Sequence, residues 1–85
     1  GLSHSDLSVA EFVGTNLSHA DLYSTNLTRA NFSRANLDGA NLEKAVLTRA
    51  NFEGATNVDF FGAYLNETTM PDGRICSGPD FAPRC

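Results

Sequence analysis

The sequence predicts an all-β solenoid, a four-sided parallel β-helix that is closed by a C-terminal cap. Three observations lead to this fold class. Leu or Phe recurs every five residues through most of the chain, Phe recurs every twenty residues, and both cysteines lie in a tail that leaves the repeat. With 85 residues, the chain has room for one small domain.

The five-residue repeat predicts the sides of the solenoid. Each unit has a small residue, then usually Asn or Asp, then Leu or Phe, and two further residues. Neither a helix nor a continuous strand can turn positions five apart to one face, because a helix rotates by a net angle of about 140° per step and a strand alternates. Within one unit, the small residue and the Leu or Phe share a face of an extended segment. The apolar positions are Leu2, Leu7, Phe12, Leu17, Leu22, Leu27, Phe32, Leu37, Leu42, Leu47 and Phe52.

The phenylalanines predict the number of sides. Phe12, Phe32 and Phe52 are twenty residues apart, which is four units. If one coil, meaning one full turn of the solenoid, has four sides, these rings stack in one core column and Leu fills the other columns. Residues 1–70 then form about three and a half coils, which backbone hydrogen bonds hold at a spacing of about 4.8 Å.

This pattern resembles the pentapeptide-repeat family over residues 2 to about 70. The resemblance implies a right-handed quadrilateral β-helix in which Leu and Phe fill the centre and small residues pack beside them. It implies little about activity. The stretch 67–73 also resembles the chain ends of cyanobacterial and plastid members. The remaining residues, 71–85, are expected to form a turn and a capping tail, because they contain all three prolines.

The repeat loses its register once, near residues 53–59. Phe60 follows Phe52 after eight residues, and Asn57 stands where the fourth core column expects Leu. One interpretation is a three-residue bulge at 56–58 that leaves the core continuous, and the other is a loop that displays a binding group. Bulges are common where strand pairing is re-aimed, so the bulge is the favoured interpretation.

The tail contains both cysteines, Cys76 and Cys85. Their spacing and the small domain favour a disulfide, which would add about 2.5–3 kcal/mol of stability. Free thiols and half of a metal site are the alternatives, although the spacing is not that of a zinc site. A disulfide implies an oxidising compartment, either periplasmic or secreted or, from the family resemblance, the thylakoid lumen. Ile75 and Phe81 are expected to cover the last coil.

The chain enters the repeat at once, at Gly1 and Leu2, with no charged and apolar leader. We therefore expect that the signal segment is not in this chain. Either an N-terminal segment precedes the first coil, which is the favoured interpretation, or the edge of that coil is exposed. An exposed edge pairs readily with another chain, so a monomer or a weak edge-mediated dimer is expected. No apolar run is long enough for a transmembrane helix, and no membrane insertion is expected.

Composition and charge argue against several functions. The formal net charge is −4 and the isoelectric point is near 4.8, which argues against a nucleic-acid partner. In a four-sided arrangement the carboxylates spread over all faces, and His4 and His19 lie at different corners. Because no acid, base and nucleophile converge, we expect no catalytic site, no cofactor or metal site and no enzyme.

Outward-pointing side chains form a possible interaction surface. Arg29 and Arg49 are twenty residues apart and should stack, where they would either bind an anionic group or stay solvated. Tyr23, Phe61 and Tyr64 should also point outward. They would form a binding patch unless the tail folds back over Phe61.

The favoured function is a non-catalytic structural or protein-interaction module whose partner is another protein. The alternative is a DNA mimic that binds DNA gyrase or topoisomerase, because some members of the family that the chain resembles have the shape and charge of DNA. The sequence gives little support to this alternative. The acids do not lie on one face, and a rod of about 17 Å is half of a DNA turn of about 34–36 Å.

Overall fold

The computed structural model describes residues 2–85, which wind into a parallel β-solenoid. One residue of each unit pairs with a residue one coil further along, and up to residue 56 the paired residues are twenty apart. Backbone hydrogen bonds join the coils, such as the bond that the Leu27 N–H donates to the Val46 carbonyl oxygen at 2.9 Å. Residues 2–85 contain no helix, and therefore none that is long and apolar enough to cross a membrane.

The outward Asn or Asp of a unit builds the corner that follows it. Its side-chain oxygen accepts a hydrogen bond from the backbone N–H two residues later, as Asn41 does from Glu43 at 3.0 Å. The next residue is left-handed, with a φ of 61° at Lys44, and the chain turns. Asn and Asp favour such turns, which explains why they recur at this position. Val9 has the same conformation with a φ of 64°, which strains its β-branched side chain.

A stack of phenylalanine rings forms one column of the core. The ring centroids of Phe12 and Phe32 are 5.0 Å apart, those of Phe32 and Phe52 are 4.7 Å apart, and the rings are nearly parallel. Phe32 and Phe52 are fully buried, whereas Phe12 in the first coil is half-buried. Buried leucines fill neighbouring positions and alanines pack beside them, so the middle coils have a closed apolar interior.

The coil that contains Asn57 is two residues shorter than the coils before it. Val46 pairs with Tyr64, which is eighteen residues away instead of twenty. The unit that starts at Ala55 ends at Asn57, whose φ of 57° makes a corner where a Leu would otherwise stand. Asn tolerates this left-handed conformation better than Leu does. The register shift is therefore a two-residue shortening, and the favoured interpretation of a three-residue bulge was wrong.

Phe60 continues the apolar core after the shortened unit. Its ring meets the ring of Phe52 edge-on, with the centroids 5.0 Å apart and the planes at 84°. Eighteen residues earlier, the same column holds Leu42, which is smaller. Phe60 is therefore larger than its counterpart in the preceding coil, and it packs against the core beside Phe52.

An antiparallel hairpin ends the solenoid. Strand β1 (Tyr64–Thr69) belongs to the last coil, and strand β2 (Ile75–Pro79) pairs with it. The Thr68 hydroxyl donates a hydrogen bond to the Leu47 carbonyl oxygen at 2.7 Å, which ties the hairpin to the preceding coil. The favoured disulfide is present between Cys76 and Cys85, and Cys76 is only 1% exposed.

Ile75 and Phe81 do not cover the last coil, so this expectation was wrong. They are 61% and 85% exposed, whereas Leu65 and Cys76 are buried. Successive side chains of a strand point to opposite faces, so Ile75 points outward because Cys76 points inward. Cys76, whose sulfur is part of the disulfide, is the buried residue of this pair.

The first coil leaves one edge without backbone partners. Among residues 2–85, no carbonyl oxygen accepts a hydrogen bond from the backbone N–H of Glu11 or Asn16. The apolar side chains of this coil are also less covered, since Leu2 is exposed and Leu7 is half-buried. Dimerisation through this edge stays a prediction.

Candidate interaction cleft

A cleft opens where the shortened coil meets a corner of the coil before it. The corner is formed by residues 38–42, which we call the open corner. The cleft has a volume of about 430 Å³. Its lining residues are Asp38, Gly39, Ala40, Asn41, Leu42, Asn57, Asp59 and Phe61.

The equivalent corner one coil earlier, residues 18–22, is fully joined to the coil that follows. We call it the closed corner. The His19 N–H donates a hydrogen bond to the Asp38 carbonyl oxygen at 2.8 Å. The Leu22 N–H donates to the Asn41 carbonyl oxygen at 2.9 Å. In return, the Asn41 N–H donates to the Ala20 carbonyl oxygen at 2.9 Å. Three hydrogen bonds therefore close this corner.

The open corner lacks all three of these bonds. No backbone group within residues 2–85 accepts a hydrogen bond from the N–H of Gly39 or Leu42, and none donates to the carbonyl oxygen of Ala40. The cause is the two-residue shortening, because the following chain no longer reaches the register of the repeat. Backbone polar groups inside a protein are nearly always paired. These three groups therefore require partners from water or from a bound molecule.

Two carboxylates give the cleft a negative charge. Asp59 accepts a hydrogen bond from the Phe61 N–H at 3.0 Å, which forms the usual corner. Neither Asp38 nor Asp59 takes part in an ion pair among residues 2–85. In the same part of the chain, no three His, Cys, Asp or Glu side chains lie together in a way that suits a metal ion. The negative charge of the cleft is therefore not balanced by an ion pair among the described residues.

Phe61 is the outward aromatic residue that lines the cleft. It is 67% exposed, so the tail does not fold back over it. Tyr64 is also exposed, but it lies one corner further along, where its backbone pairs with Val46. The structure therefore brings Phe61 into the cleft and leaves Tyr64 on a neighbouring side.

Tyr23 lies in a different group of side chains. The Lys44 Nζ atom is 5.7 Å from the centroid of its ring, and the His4 ring meets it edge-on with centroids 5.6 Å apart. Hydrogen bonding with the Tyr23 side chain raises the pKa of Lys44 above its ordinary value. Lys44 therefore stays a cation beside the ring, and Tyr23 is already in contact with residues of this chain.

Arg29 and Arg49 lie at corners one above the other, with φ of 61° and 57°. The Nε of Arg49 donates to an oxygen of Glu67 at 2.9 Å, and both side chains are exposed. Exposed pairs of this kind contribute about 0–1 kcal/mol. Neither arginine lines the cleft. A shared anion site on the two arginines stays a prediction, and the ion pair of Arg49 weakens it.

Sequence patterns did not single out Asp38, Asn41 or Asp59 as candidate residues. Each of them occupies an ordinary polar position of the repeat, and it lines a cleft only because the next coil is short. The one available signal was the eight-residue interval between Phe52 and Phe60. Dividing that interval into a unit of five and a unit of three locates the shortened corner.

Comparisons with known proteins agree with this architecture. A family model described as pentapeptide repeats matches residues 2–29 and 25–70, with 8 copies of the repeat. HetL, a pentapeptide repeat protein involved in heterocyst differentiation regulation from the cyanobacterium Nostoc sp., is 35% identical with a TM-score of 0.50. That match covers 82% of this chain and 42% of HetL.

A second solved structure is a pentapeptide repeat protein from the thylakoid lumen of Arabidopsis thaliana. It is 26% identical with a TM-score of 0.45, and the match covers 81% of this chain and 49% of that protein. The chain thus matches less than half the length of either structure. A search of curated proteins gives no match.

Proposed function

Because the chain belongs to the pentapeptide-repeat family, we propose that it is a non-catalytic interaction module that binds another protein at the cleft. Members of this family form right-handed β-helices and are generally non-enzymatic scaffolds that act through protein interactions. The observation that carries the proposal is the open corner. It is the place where a regular solenoid presents unpaired backbone groups beside an exposed aromatic ring.

The composition of the cleft supports a protein partner. Binding energy at protein interfaces is concentrated in a few residues, and aromatic side chains that become buried on binding are prominent among them. Phe61 is exposed in the free chain and lies among polar groups of Asp38, Asn57 and Asp59. An aromatic residue surrounded by polar atoms has the layout of a small interface, in which an apolar centre is enclosed by a polar rim.

The finer features of the architecture belong to the same proposal. The twenty-residue coil and the left-handed corner of each unit support a four-sided cross-section. Residues 1–70 would form about three and a half coils, and residues 71–85 the turn and the capping tail. The disulfide supports an oxidising compartment such as the thylakoid lumen or the periplasm.

The DNA-mimic alternative stays a prediction. The described chain measures 30 × 23 × 22 Å, which is shorter than a DNA turn of about 34–36 Å. Its charge of −4 is modest for a mimic of a polyanion. Inhibition of DNA supercoiling by gyrase at micromolar concentrations of the protein would support this alternative.

The test uses the full chain as bait in extracts of its source cells, with quantitative mass spectrometry of the bound proteins. One variant combines Asn57→Leu with two inserted residues after position 57, which restores the five-residue unit and closes the cleft. A second variant is Phe61→Ser. Val13→Ser is the matched control, because Val13 is an exposed apolar residue at the same position of a regular unit.

We expect a partner that the native chain and Val13→Ser capture equally and that both cleft variants lose. Thermal unfolding of each variant, followed by circular dichroism, verifies that the solenoid is intact. If the captured proteins are the same for the native chain and for both cleft variants, the proposed role of the cleft is wrong.

A further inference from the structure

We propose that the cleft binds an extended segment of the partner that carries an arginine, an inference that rests on the proposed function. The guanidinium group of the arginine would lie between the carboxylates of Asp38 and Asp59. The backbone of the segment would supply the hydrogen bonds that the open corner lacks. The partner is thereby defined by its chemistry, as a protein with an exposed basic stretch in an extended conformation.

The unpaired backbone groups specify an extended segment. At the closed corner, the N–H groups of His19 and Leu22 and the carbonyl of Ala20 are all paired with backbone groups of the following chain. At the open corner, the corresponding groups of Gly39, Ala40 and Leu42 lack such partners among residues 2–85. An extended peptide can add to an incomplete sheet edge and provide the same donors and acceptors.

The side chains of the cleft specify a cation. Asp38 and Asp59 have no cationic partner among residues 2–85, and the chain as a whole carries a formal charge of −4. A cationic side chain that enters the cleft would neutralise these carboxylates and form charge-assisted hydrogen bonds with them. The charge complementarity favours a basic segment over an acidic or an apolar one.

Phe61 favours arginine over lysine as the cation. A guanidinium group is planar, so it can stack on an aromatic ring while its N–H donors bind carboxylates at its edge. A lysine ammonium group is compact and strongly hydrated, and it offers no flat face for such stacking. Phe61 lines the same cleft as the two carboxylates and is largely exposed, so its ring is available to a guanidinium group.

The experiment titrates the ¹⁵N-labelled full chain with three short blocked peptides, followed by NMR. The peptides have the same sequence of Gly and Ser residues around one central arginine, lysine or citrulline, which is the neutral isostere of arginine. We expect saturable shifts of the Gly39 and Leu42 amide signals with the arginine peptide, and much smaller shifts at His19 and Leu22. The affinity for the citrulline peptide should be lower by about tenfold or more, because citrulline carries no positive charge that the two carboxylates can attract.

Asp38→Asn and Asp59→Asn should each weaken binding of the arginine peptide by about tenfold, since each removes one charged acceptor. Asp21→Asn is the matched control and should leave binding unchanged. Asp21 accepts a hydrogen bond from the Tyr23 N–H at 3.2 Å, the same type of contact that Asp59 makes, but it lies outside the cleft lining. Asn can accept this bond as well, so Asp59→Asn and Asp21→Asn preserve their corners.

Three results would overturn the inference. They are the absence of saturable shifts at the open corner, equal affinity for the citrulline peptide, and equal affinity for the lysine peptide. These results differ from a failure of the proposed function. If the peptides fail while capture of a partner still depends on Phe61, the cleft is an interaction site and only the arginine chemistry is wrong.

Discussion

The open and closed corners occupy the same position in consecutive coils, yet only one of them presents a cleft. Their sequences follow the same pattern, Ser-His-Ala-Asp-Leu at 18–22 and Asp-Gly-Ala-Asn-Leu at 38–42. The difference comes from the chain that packs below each corner, which is complete below the closed corner and two residues short below the open one. In a repeat protein, the length of one unit can therefore create a site from residues that are otherwise ordinary.

The largest difference between the regular coils and the shortened coil should be the stability that is lost when a core phenylalanine is truncated. Phe32 is fully buried between two parallel rings, so Phe32→Ala should lower the free energy of unfolding by about 3–5 kcal/mol. Phe60 is half-buried in the shortened coil, so Phe60→Ala should lower the free energy of unfolding by distinctly less than Phe32→Ala does. Urea-induced unfolding of the two variants measures both values. Equal losses would mean that the shortened coil is packed as tightly as the regular ones.

The disulfide should contribute the next largest effect, and it should act mainly at the C-terminal end. Reduction of the bond between Cys76 and Cys85 should lower the stability by about 2.5–3 kcal/mol, because it frees a short loop of the unfolded chain. In a solenoid each coil contacts only its neighbours, so amide exchange should accelerate near Thr69 more than near Asn31. Thermal unfolding and hydrogen exchange with and without dithiothreitol measure these effects. An unchanged melting temperature would contradict the stabilising role of the bond.

Hydrogen exchange should separate the two corners directly. The N–H groups of Gly39 and Leu42 have no backbone acceptor among the described residues, whereas those of His19 and Leu22 are hydrogen bonded. The amides of the open corner should exchange faster by about tenfold or more, since each lacks an interaction that must break before exchange. The two-residue insertion after Asn57 should remove the difference. Similar protection at both corners in the native chain would show that the open corner is closed in solution.

The smallest effect should come from a strained corner within the regular coils. Val9 has a left-handed φ of 64° and is exposed, so Val9→Asn should raise the stability by roughly 0.5–1 kcal/mol. Val13 is also exposed but lies outside the left-handed positions. Val13→Asn is therefore the matched control and should give no such gain. Urea-induced unfolding measures both variants, and a stabilisation by Val13→Asn of the same size would argue against backbone strain as the cause.

The sequence predicts the regular part of the molecule well, because each feature there is local to one unit. The spacing of Phe12, Phe32 and Phe52 is enough to predict a twenty-residue coil. The recurrent Asn and Asp residues follow from the corner, since their side chains accept the hydrogen bond that shapes each turn.

The candidate site is harder to predict, because it depends on register between distant residues. Asp38 and Asp59 look like any other polar residues of the repeat until the shortened unit at Asn57 is placed against the coil before it. The prediction of the residues that cover the last coil fails for a related reason. Apolar character suggested Ile75 and Phe81 as cover, but the phase of β2 turns Cys76 inward and leaves Ile75 in solvent.

The constant separation of paired residues also bears on how the chain folds. Every pairing between coils joins residues eighteen or twenty apart, so no step of folding has to close a long loop. The entropy of loop closure is then nearly the same for each coil. Folding can therefore nucleate at any pair of neighbouring coils and propagate from there. At the open corner, adding the next coil forms fewer hydrogen bonds for the same entropy of loop closure. We therefore expect propagation of folding to slow there. A partner that supplies the missing bonds would accelerate this step. Binding of the partner would then be coupled to completion of the fold.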